Sequence, residues 1–169
     1  MSNIYILLGS NLGNQLSNLQ DACSFLHKKS IKVIASSPLY RTKAWGNVNQ
    51  DDFLNVVLNV ETKLDANQLL NELLAIEILM GRVRGQLQWM PRLIDIDILY
   101  FNDEIIQLPN LKIPHPYIAE RRFTLIPLND LAPNFIHPAL NLSNNTLLQQ
   151  CFDNSEVFKT NLKLNFKPD

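Results

Sequence analysis

The sequence predicts an α+β fold in which two helices cover one face of an antiparallel sheet. Residues 53–62 alternate between apolar and polar side chains, as in a strand with one buried face. Apolar residues recur at positions 16, 19, 23 and 26, the spacing of a helix with one buried side. Around these segments the predicted elements run strand, helix, strand, strand, helix, strand, which is a split β-α-β pattern.

The first half of this pattern occupies residues 3–37. Residues 3–8 are apolar and end at the turn sequence GSNLG, which predicts a short strand. The helical stripe predicts a helix over residues 14–29, which ends in basic residues as helix C-termini tend to do. Residues 31–37 are rich in β-branched side chains and stop before Pro38, so we predict a second strand there.

The second half begins after a polar loop predicted at residues 39–51. The alternating segment 53–62 is the third strand, and Asp65 with Gln68 forms a predicted capping box that opens a helix ending near Met80. After a loop rich in arginine and glycine at 81–92, the sequence PRLIDIDILY predicts a fourth strand, followed by a hairpin through residues 102–103. Prolines break the chain beyond residue 109 into short elements, with a last helix at 143–151.

This order of elements is typical of ferredoxin-like folds, in which two helices cover one sheet face and leave the other face open. We therefore expect the isoleucines and the tyrosine of PRLIDIDILY to face the helices. The open face would carry Phe53, Asn55, Asp95 and Asp97. The 169 residues suit a single domain over 1–169, with a core at about 3–135 and a C-terminal extension at 139–169.

Composition and charge argue against several classes of function. With 15 basic and 16 acidic residues, the chain has no general attraction to nucleic acid or to anionic membranes. It contains no apolar run of about 18 residues that would span a membrane, and no basic N-terminal signal segment. Neither Cys23 nor Cys151 lies in a metal-binding spacing, and Cys23 continues the apolar helical stripe as a core thiol. We expect a reducing, cytoplasmic location.

Two carboxylates lie in the middle of an otherwise apolar strand. On a strand, Asp95 and Asp97 point to the same face about 7 Å apart, close enough to repel each other. Alternating carboxylates suit Mg²⁺, which takes one or two protein carboxylates and completes its shell with water and phosphate. The spacing alone fits two solvated aspartates on an edge strand equally well, because Asp-x-Asp is a short pattern with many accidental matches.

A loop rich in arginine precedes this pair. Arg82, Arg84 and Arg92 flank Trp89, and guanidinium groups match the geometry of phosphate oxygens. Their alternative role is to pair with Asp or Glu in a solvated loop. Carboxylates beside an arginine loop favour a site for Mg²⁺ and a polyphosphate. Because the chain has no glycine-rich Walker A sequence, side chains would hold the phosphates.

Further candidate residues each keep two interpretations. Glu77 lies on one helical stripe with Leu70 and Leu74, which suits either an adenine pocket or a solvated helix flank. His115, between two prolines, could donate a hydrogen bond to phosphate or serve a structural role. The indoles of Trp45 and Trp89, both in predicted loops, could pack over the core or stack on a planar ligand.

Seven short motifs occur along the chain in one order: GSNLG at 9–13, YRT at 40–42, DFLN at 52–55, GRVR at 81–84, the arginine-loop tryptophan, PRLIDIDI at 91–98 and PHP at 114–116. Together they resemble the 6-hydroxymethyl-7,8-dihydropterin pyrophosphokinase family of folate biosynthesis. The resemblance covers residues 3 to about 135. It implies a ferredoxin-like fold and transfer of pyrophosphate from ATP to the hydroxymethyl group of 6-hydroxymethyl-7,8-dihydropterin, giving AMP and the pterin diphosphate.

The resemblance also implies roles for individual residues. Asp95 and Asp97 would bind two Mg²⁺ ions, with Arg82 and Arg92 as further catalytic residues. The residues expected to bind the pterin are Gly9, Thr42, Lys43, Trp45, Phe53, Asn55, Trp89 and Phe123. The residues expected to bind ATP are Leu70, Leu74, Glu77, Arg82, Arg84, Trp89, Arg92, Ile98, Lys112, His115 and Arg121. The expected partners are these two small molecules, with no nucleic acid and no membrane, and the protein is expected to be a monomer.

Two other functions compete with this interpretation. A nucleotide-sugar glycosyltransferase also uses Asp-x-Asp, but its catalytic domain generally needs a larger, doubly wound sheet than this chain predicts. A non-enzymatic alternative, a ferredoxin-like regulatory or RNA-binding module, would present surface aromatics on adjacent strands and a basic sheet face. The predicted open face is instead acidic at Asp95 and Asp97, which favours the pyrophosphokinase.

Overall fold

The computed structural model describes residues 2–44, 49–82 and 92–166. In chain order the elements are β1 (Ile4–Ser10), α1 (Gln15–Lys28), β2 (Lys32–Ser36), β3 (Tyr40–Thr42), β4 (Phe53–Glu61), α2 (Ala66–Leu79), β5 (Asp95–Phe101), β6 (Ile106–Leu108), β7 (Leu111–Ile113), a 3₁₀ turn (Ile118–Glu120), α3 (Arg122–Leu131), α4 (Asn144–Gln150) and β8 (Val157–Lys159). None of the described helices combines the length and apolarity needed to cross a membrane.

The main sheet is antiparallel, with its strands in the order β5, β1, β4, β3, β8, and β2 also pairs with β4. The register places Gly9 of β1 between Asn55 of β4 and Asp95 of β5. Two residues along, Leu7 pairs with Asp97. Because directly paired residues point to the same face, three strands bring their functional candidates together at one end of the sheet.

The main core lies between one sheet face and the helices α1 and α2, as the sequence predicts. The alternating leucines and valines of β4 and the isoleucines of β5 are buried there. Cys23 of α1 belongs to the same core, in agreement with its place on the helical stripe. The predicted capping box opens α2: the side chain of Asp65 accepts from the Gln68 N–H, and the Gln68 side chain accepts from the Asp65 N–H.

A second core covers much of the other sheet face, which corrects the expectation that this face is open. Tyr5, Leu7 and Val57 pack there against Leu125 and Leu128 of α3. The prolines beyond residue 109 predict only short elements, and α3 does contain Pro127. The helix forms because its apolar side has a sheet face to cover, and this burial offsets the hydrogen bond that proline removes.

The tyrosine of PRLIDIDILY lies on the opposite face from the predicted one. Tyr5 pairs with Tyr100 but Ile6 pairs with Ile98, so Leu99 is an extra residue in β5. Such a bulge reverses the faces of the residues beyond it. Tyr100 is therefore fully buried in the second core, where its hydroxyl donates to Asn144 Oδ1 at 2.8 Å.

Three further elements differ from the sequence prediction. The hairpin predicted at residues 102–103 is wrong: β5 ends at Phe101, and β6 pairs with β7 in a separate two-stranded sheet. The predicted loop at 39–51 contains β3, which pairs with β4. β8 of the C-terminal extension adds a strand beyond β3, whereas the predicted last helix is present as α4.

Candidate active site

A cavity of about 490 Å³ opens where the ends of β1, β4 and β5 meet the start of α3. Most of the residues that the sequence nominates line this cavity. They are Gly9, Thr42, Lys43, Phe53, Asn55, Leu70, Leu74, Glu77, Arg82, Arg92, Asp95, Asp97, His115, Arg121 and Phe123. The structure thus brings together, from separate elements, the residues nominated for the pterin, for ATP and for metal.

Some nominated residues lie elsewhere. Ile98 is buried in the main core and Lys112 is exposed on β7; neither lines the cavity. Trp45, Arg84 and Trp89 lie outside the described residues, and their roles stay predictions.

Gly9 occupies a position where the backbone must come close to a neighbouring side chain. A Cβ atom at this residue would lie 2.8 Å from Asn55 Oδ1 and 3.5 Å from the Phe53 ring. Asn55 is buried, and its side-chain amide donates to Thr42 Oγ1 at 2.9 Å. The absence of a side chain at Gly9 therefore keeps the Asn55 amide in place on the cavity wall.

The two aspartates of β5 have different electrostatic surroundings. Asp95 Oδ1 lies 3.0 Å from Arg92 Nη1 and 3.7 Å from Arg82 Nη1. Asp97 has no arginine at this range among the described residues. Burial, and then repulsion from Asp95 and Glu77, raises the pKa of Asp97 to about 7. Asp95 thus has close arginine partners, whereas at Asp97 burial and repulsion outweigh the more distant charges of Arg121 and Arg92.

Glu77 of α2 is buried, with 1% of its surface exposed, which excludes the solvated-flank interpretation. Its Oε1 accepts the Ile96 N–H at 2.8 Å, between the two aspartates, and its Oε2 is paired with Arg82. Burial raises the pKa of Glu77 to about 6, although the hydrogen bond from Ile96 opposes this rise. β5 is an edge strand of the main sheet, so Glu77 supplies an acceptor that no neighbouring strand provides.

His115 and Arg121 form another wall with Tyr117. The guanidinium carbon of Arg121 lies 4.6 Å from the centre of the Tyr117 ring and 5.7 Å from that of Phe123, distances at which cation and ring attract each other. Burial, and then the charge of Arg121, lowers the pKa of His115 to about 4. His115 is therefore neutral at pH 7, and one of its ring nitrogens can donate a hydrogen bond.

Sequence reasoning missed several residues of the site. Tyr117, Leu7, Gln50 and Ile96 line the cavity without having been nominated. Asn11 was also passed over, because GSNLG alone indicates only a turn.

The Asn11 side chain joins two parts of the cavity rim. Its Oδ1 accepts from the Arg92 backbone N–H at 2.9 Å. The backbone N–H of Asn11 also donates to the Arg92 carbonyl oxygen at 3.2 Å. Its side-chain amide donates to Gln50 Oε1 at 3.1 Å. Asn11 is only 1% exposed, and this burial could not be predicted from the sequence because it depends on the packing of distant segments.

Comparison with known proteins identifies the family. A family model described as 7,8-dihydro-6-hydroxymethylpterin-pyrophosphokinase (HPPK) matches residues 5–133. The chain belongs to this family. The 2-amino-4-hydroxy-6-hydroxymethyldihydropteridine pyrophosphokinase of Aquifex aeolicus is 41% identical over 138 residues, which are 82% of this chain and 85% of that protein. Membership of the HPPK family confirms the predicted activity, that of a pyrophosphokinase of folate biosynthesis with ATP and a pterin as small-molecule substrates.

Longer proteins contain a similar segment. The folic acid synthesis protein FOL1 of Dictyostelium discoideum is 40% identical over 144 residues, which are 85% of this chain but 22% of that protein. A solved structure of wild-type Plasmodium falciparum HPPK-DHPS with SDX-DHP has a TM-score of 0.69 at 21% identity, covering 89% of this chain and 43% of that one. This second likeness concerns the fold alone, and it supports a mixed α/β architecture with an antiparallel sheet.

Proposed function

We propose that this chain transfers the β,γ-pyrophosphoryl group of ATP to the hydroxymethyl oxygen of 6-hydroxymethyl-7,8-dihydropterin in the cavity described above. The observation that carries the proposal is the content of that one cavity: a carboxylate pair, three arginines, two phenylalanines and a buried amide. Carboxylates and arginines suit a metal-bound polyphosphate, and aromatic rings beside a buried amide suit a flat heterocycle with a polar edge. A single-substrate site would not need both halves.

We assign Mg²⁺ to Asp95 and Asp97, because this donor set fits that ion. Among the described residues, no group of three or more His, Cys, Asp and Glu side chains could hold a metal by itself. Two carboxylates are nevertheless sufficient for Mg²⁺, which completes its shell with water and phosphate. A cation there would also offset the burial and the repulsion that together raise the pKa of Asp97. Two such ions, the number that the family resemblance implies, would neutralise phosphate charge and acidify the attacking hydroxyl.

The remaining residues orient the phosphates and the adenine. In-line attack at the β-phosphorus needs positioning and charge neutralisation more than covalent help. Arg82 and Arg92 stand beside Asp95, where they would leave the carboxylate for the incoming phosphates. Arg121 and neutral His115 would donate from the opposite wall. The proposed adenine region is lined by Leu70, Leu74 and Glu77.

The pterin half of the cavity is proposed to work by shape and hydrogen bonding. Phe53 and Phe123 would stack on the ring, and Asn55 with the backbone near Thr42 would bond its polar edge. Gly9 would leave room beneath the ring, since a Cβ there would meet Asn55. Such positioning holds the hydroxymethyl group for attack without a dedicated base, and the sequence nominates none.

The test is incubation of the protein with Mg²⁺, ATP and 6-hydroxymethyl-7,8-dihydropterin, with the nucleotide products resolved. AMP should form in step with the pterin diphosphate, and Asp97→Ala should abolish both while Asp103→Ala, a change of an exposed aspartate, leaves them unchanged. ADP as the product, or no turnover, would overturn the proposal.

Metal binding is tested separately with Mn²⁺ as a spectroscopic substitute. In the presence of a non-hydrolysable ATP analogue, Mn²⁺ should bind to the wild type and to Asp103→Ala, but only weakly to Asp97→Ala. Equal binding by all three proteins would place the metal elsewhere.

We also propose the finer description of the molecule that the sequence suggests. The order β5, β1, β4, β2 with two helices on one face supports a ferredoxin-like core at about 3–135, within a single domain over 1–169. A monomer in the cytoplasm remains the expected state. Size-exclusion chromatography with light scattering tests the first of these two expectations.

A further inference from the structure

We propose that the C-terminal segment 153–166 positions the two walls of the cavity that face the pterin, an inference that rests on the proposed pterin site. The family model ends at residue 133, so this segment lies beyond the part of the chain that the family defines. Two separate sets of contacts connect it to the site, one through α3 and the other through β3.

The first connection is a hydrogen bond to the start of α3. The helix begins at Arg122, and Arg121 before it provides no side-chain cap. Asp153 Oδ2 instead accepts the Arg122 N–H at 2.9 Å, while its Oδ1 accepts the Ser155 N–H at 2.9 Å. An acidic group at a helix N-terminus satisfies a free N–H and interacts favourably with the helix dipole. Phe123, proposed to stack on the pterin, is the next residue of the helix.

The second connection is a strand added to the edge of the sheet. β8 pairs with all three residues of β3, and its Val157 lies opposite Thr42. Without β8, β3 would be a three-residue edge strand whose only neighbour in the described part of the sheet is β4. Thr42 in turn accepts from the Asn55 side chain at 2.9 Å, so the position of β3 determines the polar edge of the proposed pterin site.

The chain following β8 anchors this strand to the main body. Both the N–H and the hydroxyl of Thr160 donate to the Leu39 carbonyl oxygen, at 2.9 Å and 3.0 Å, directly before β3 begins. Further on, Leu164 and Phe166 pack against the main core, and the Asn165 N–H donates to the Gln20 side chain of α1 at 3.0 Å. The segment therefore runs from the start of α3, past β3, to the main core, and so passes both pterin walls.

The consequence for catalysis is a selective one. The segment contacts the elements carrying Phe123 and Thr42, whereas the residues proposed for ATP on α2 and β5 are held by Glu77 and by the sheet. Arg121 keeps its stacking on Tyr117, which lies before the helix cap. Loosening the segment should thus weaken pterin binding while ATP binding and the chemical step are retained.

The test uses point variants of the full-length protein. Asp153→Ala should raise the KM for the pterin about three- to tenfold, corresponding to the loss of a helix cap, with the KM for ATP and kcat within twofold of wild type. Asp153→Asn, which keeps one acceptor, should show a smaller rise. The control Glu156→Ala removes an equal charge from an exposed position of the same segment and should behave as wild type.

Thr160→Val tests the second connection independently, because it removes the hydroxyl with little change of shape. It should also raise the KM for the pterin but not that for ATP. A lowered Tm with an unchanged KM for the pterin in both variants would mean that the segment serves stability alone, and equal rises for ATP and pterin would also overturn the inference. Failure of the wild type to form AMP would contradict the proposed function instead.

Discussion

At the scale of single residues, the site depends on side chains whose character is set by their neighbours. Glu77 and Asp97 are acids whose pKa burial raises, whereas the pKa of His115 is lowered for the same reason. In all three residues burial destabilises the ionised form of the side chain, and the pKa shifts accordingly. For Asp97 and His115 such surroundings fit a site that receives cations and phosphate, because a ligand can supply a partner for each group. Glu77 already has partners in the Ile96 N–H and Arg82.

Gly9 allows a residue-scale prediction. In Gly9→Ala, the new Cβ would lie 2.8 Å from Asn55 Oδ1, so the amide must shift from its present position. We expect the KM for the pterin to rise on the order of tenfold, from an overpacking cost of about 1–3 kcal/mol. The dissociation constant of a non-hydrolysable ATP analogue serves as the internal control and should be unchanged. An unchanged KM for the pterin would show that Asn55 does not contact this substrate.

At the scale of secondary-structure elements, Glu77 ties α2 to the edge strand β5. The helix contributes leucines to the main core, and its Glu77 carboxylate lines the cavity. Its hydrogen bond to Ile96 holds the backbone between the two aspartates. A helix that would otherwise serve only packing therefore also determines where the proposed metal ligands stand.

Removal of this tie should destabilise the protein. Glu77→Ala leaves the buried Ile96 N–H without its acceptor and Arg82 with only its longer contact to Asp95. It should lower the free energy of unfolding by about 2 kcal/mol or more. Glu77→Gln retains an acceptor and should lose less. Urea denaturation measures both changes, with Asn71→Ala on the exposed side of α2 as the control. Equal losses in the Ala and Gln variants would mean that the hydrogen bond to Ile96 contributes little.

At the scale of the whole molecule, the two cores leave one end of the sheet for the site. α1 and α2 cover one face, and α3 with α4 covers much of the other. The end where β1, β4 and β5 carry Gly9, Asn55 and Asp95 borders the cavity. A rigid sheet with two packed faces can hold repelling carboxylates together, because the rest of the fold supplies the stability that they cost.

This cost predicts how the stability of the metal-free protein depends on pH. The pKa of Asp97 is about 7 in the folded protein and 3.8 in its ordinary state, so the folded state holds the proton more tightly. Its effect on stability is therefore most favourable below pH 4 and is lost as the pH rises through 7. In EDTA at pH 8, Asp97→Asn should raise Tm by about 2 °C or more.

The same comparison at low pH provides the check. Near pH 4, Asp97 is protonated in the folded state and about half protonated in the unfolded state. The Tm difference between Asp97→Asn and the wild type should therefore be much smaller there than at pH 8, and Asp103→Asn should show no such dependence. A difference that is the same at pH 4 and pH 8 would rule out the ionisation of Asp97 as its cause.

The sequence by itself determined the parts of this protein that local patterns encode. Alternation at 53–62 and the stripe at 16–26 reflect the periods of a strand and a helix, so they predicted which faces are buried. The capping box at Asp65 was predictable because both of its partners lie within one turn. The motifs from GSNLG to PHP indicated the family and most of the residues that line the cavity. This was possible because the type of a side chain limits which ligands it can bind.

Only the tertiary structure decided what depends on distant segments. The bulge at Leu99, which moves Tyr100 into the second core, follows from the register between β1 and β5. The helix around Pro127 packs on a sheet face, and the strand β8 pairs with a sheet edge. Both the face and the edge are built from segments much earlier in the chain. The hydrogen bonds from Ile96 to buried Glu77 and from Arg122 to Asp153 likewise join residues that are far apart in sequence. These features arise from non-local packing, whose free energy no short window of sequence contains.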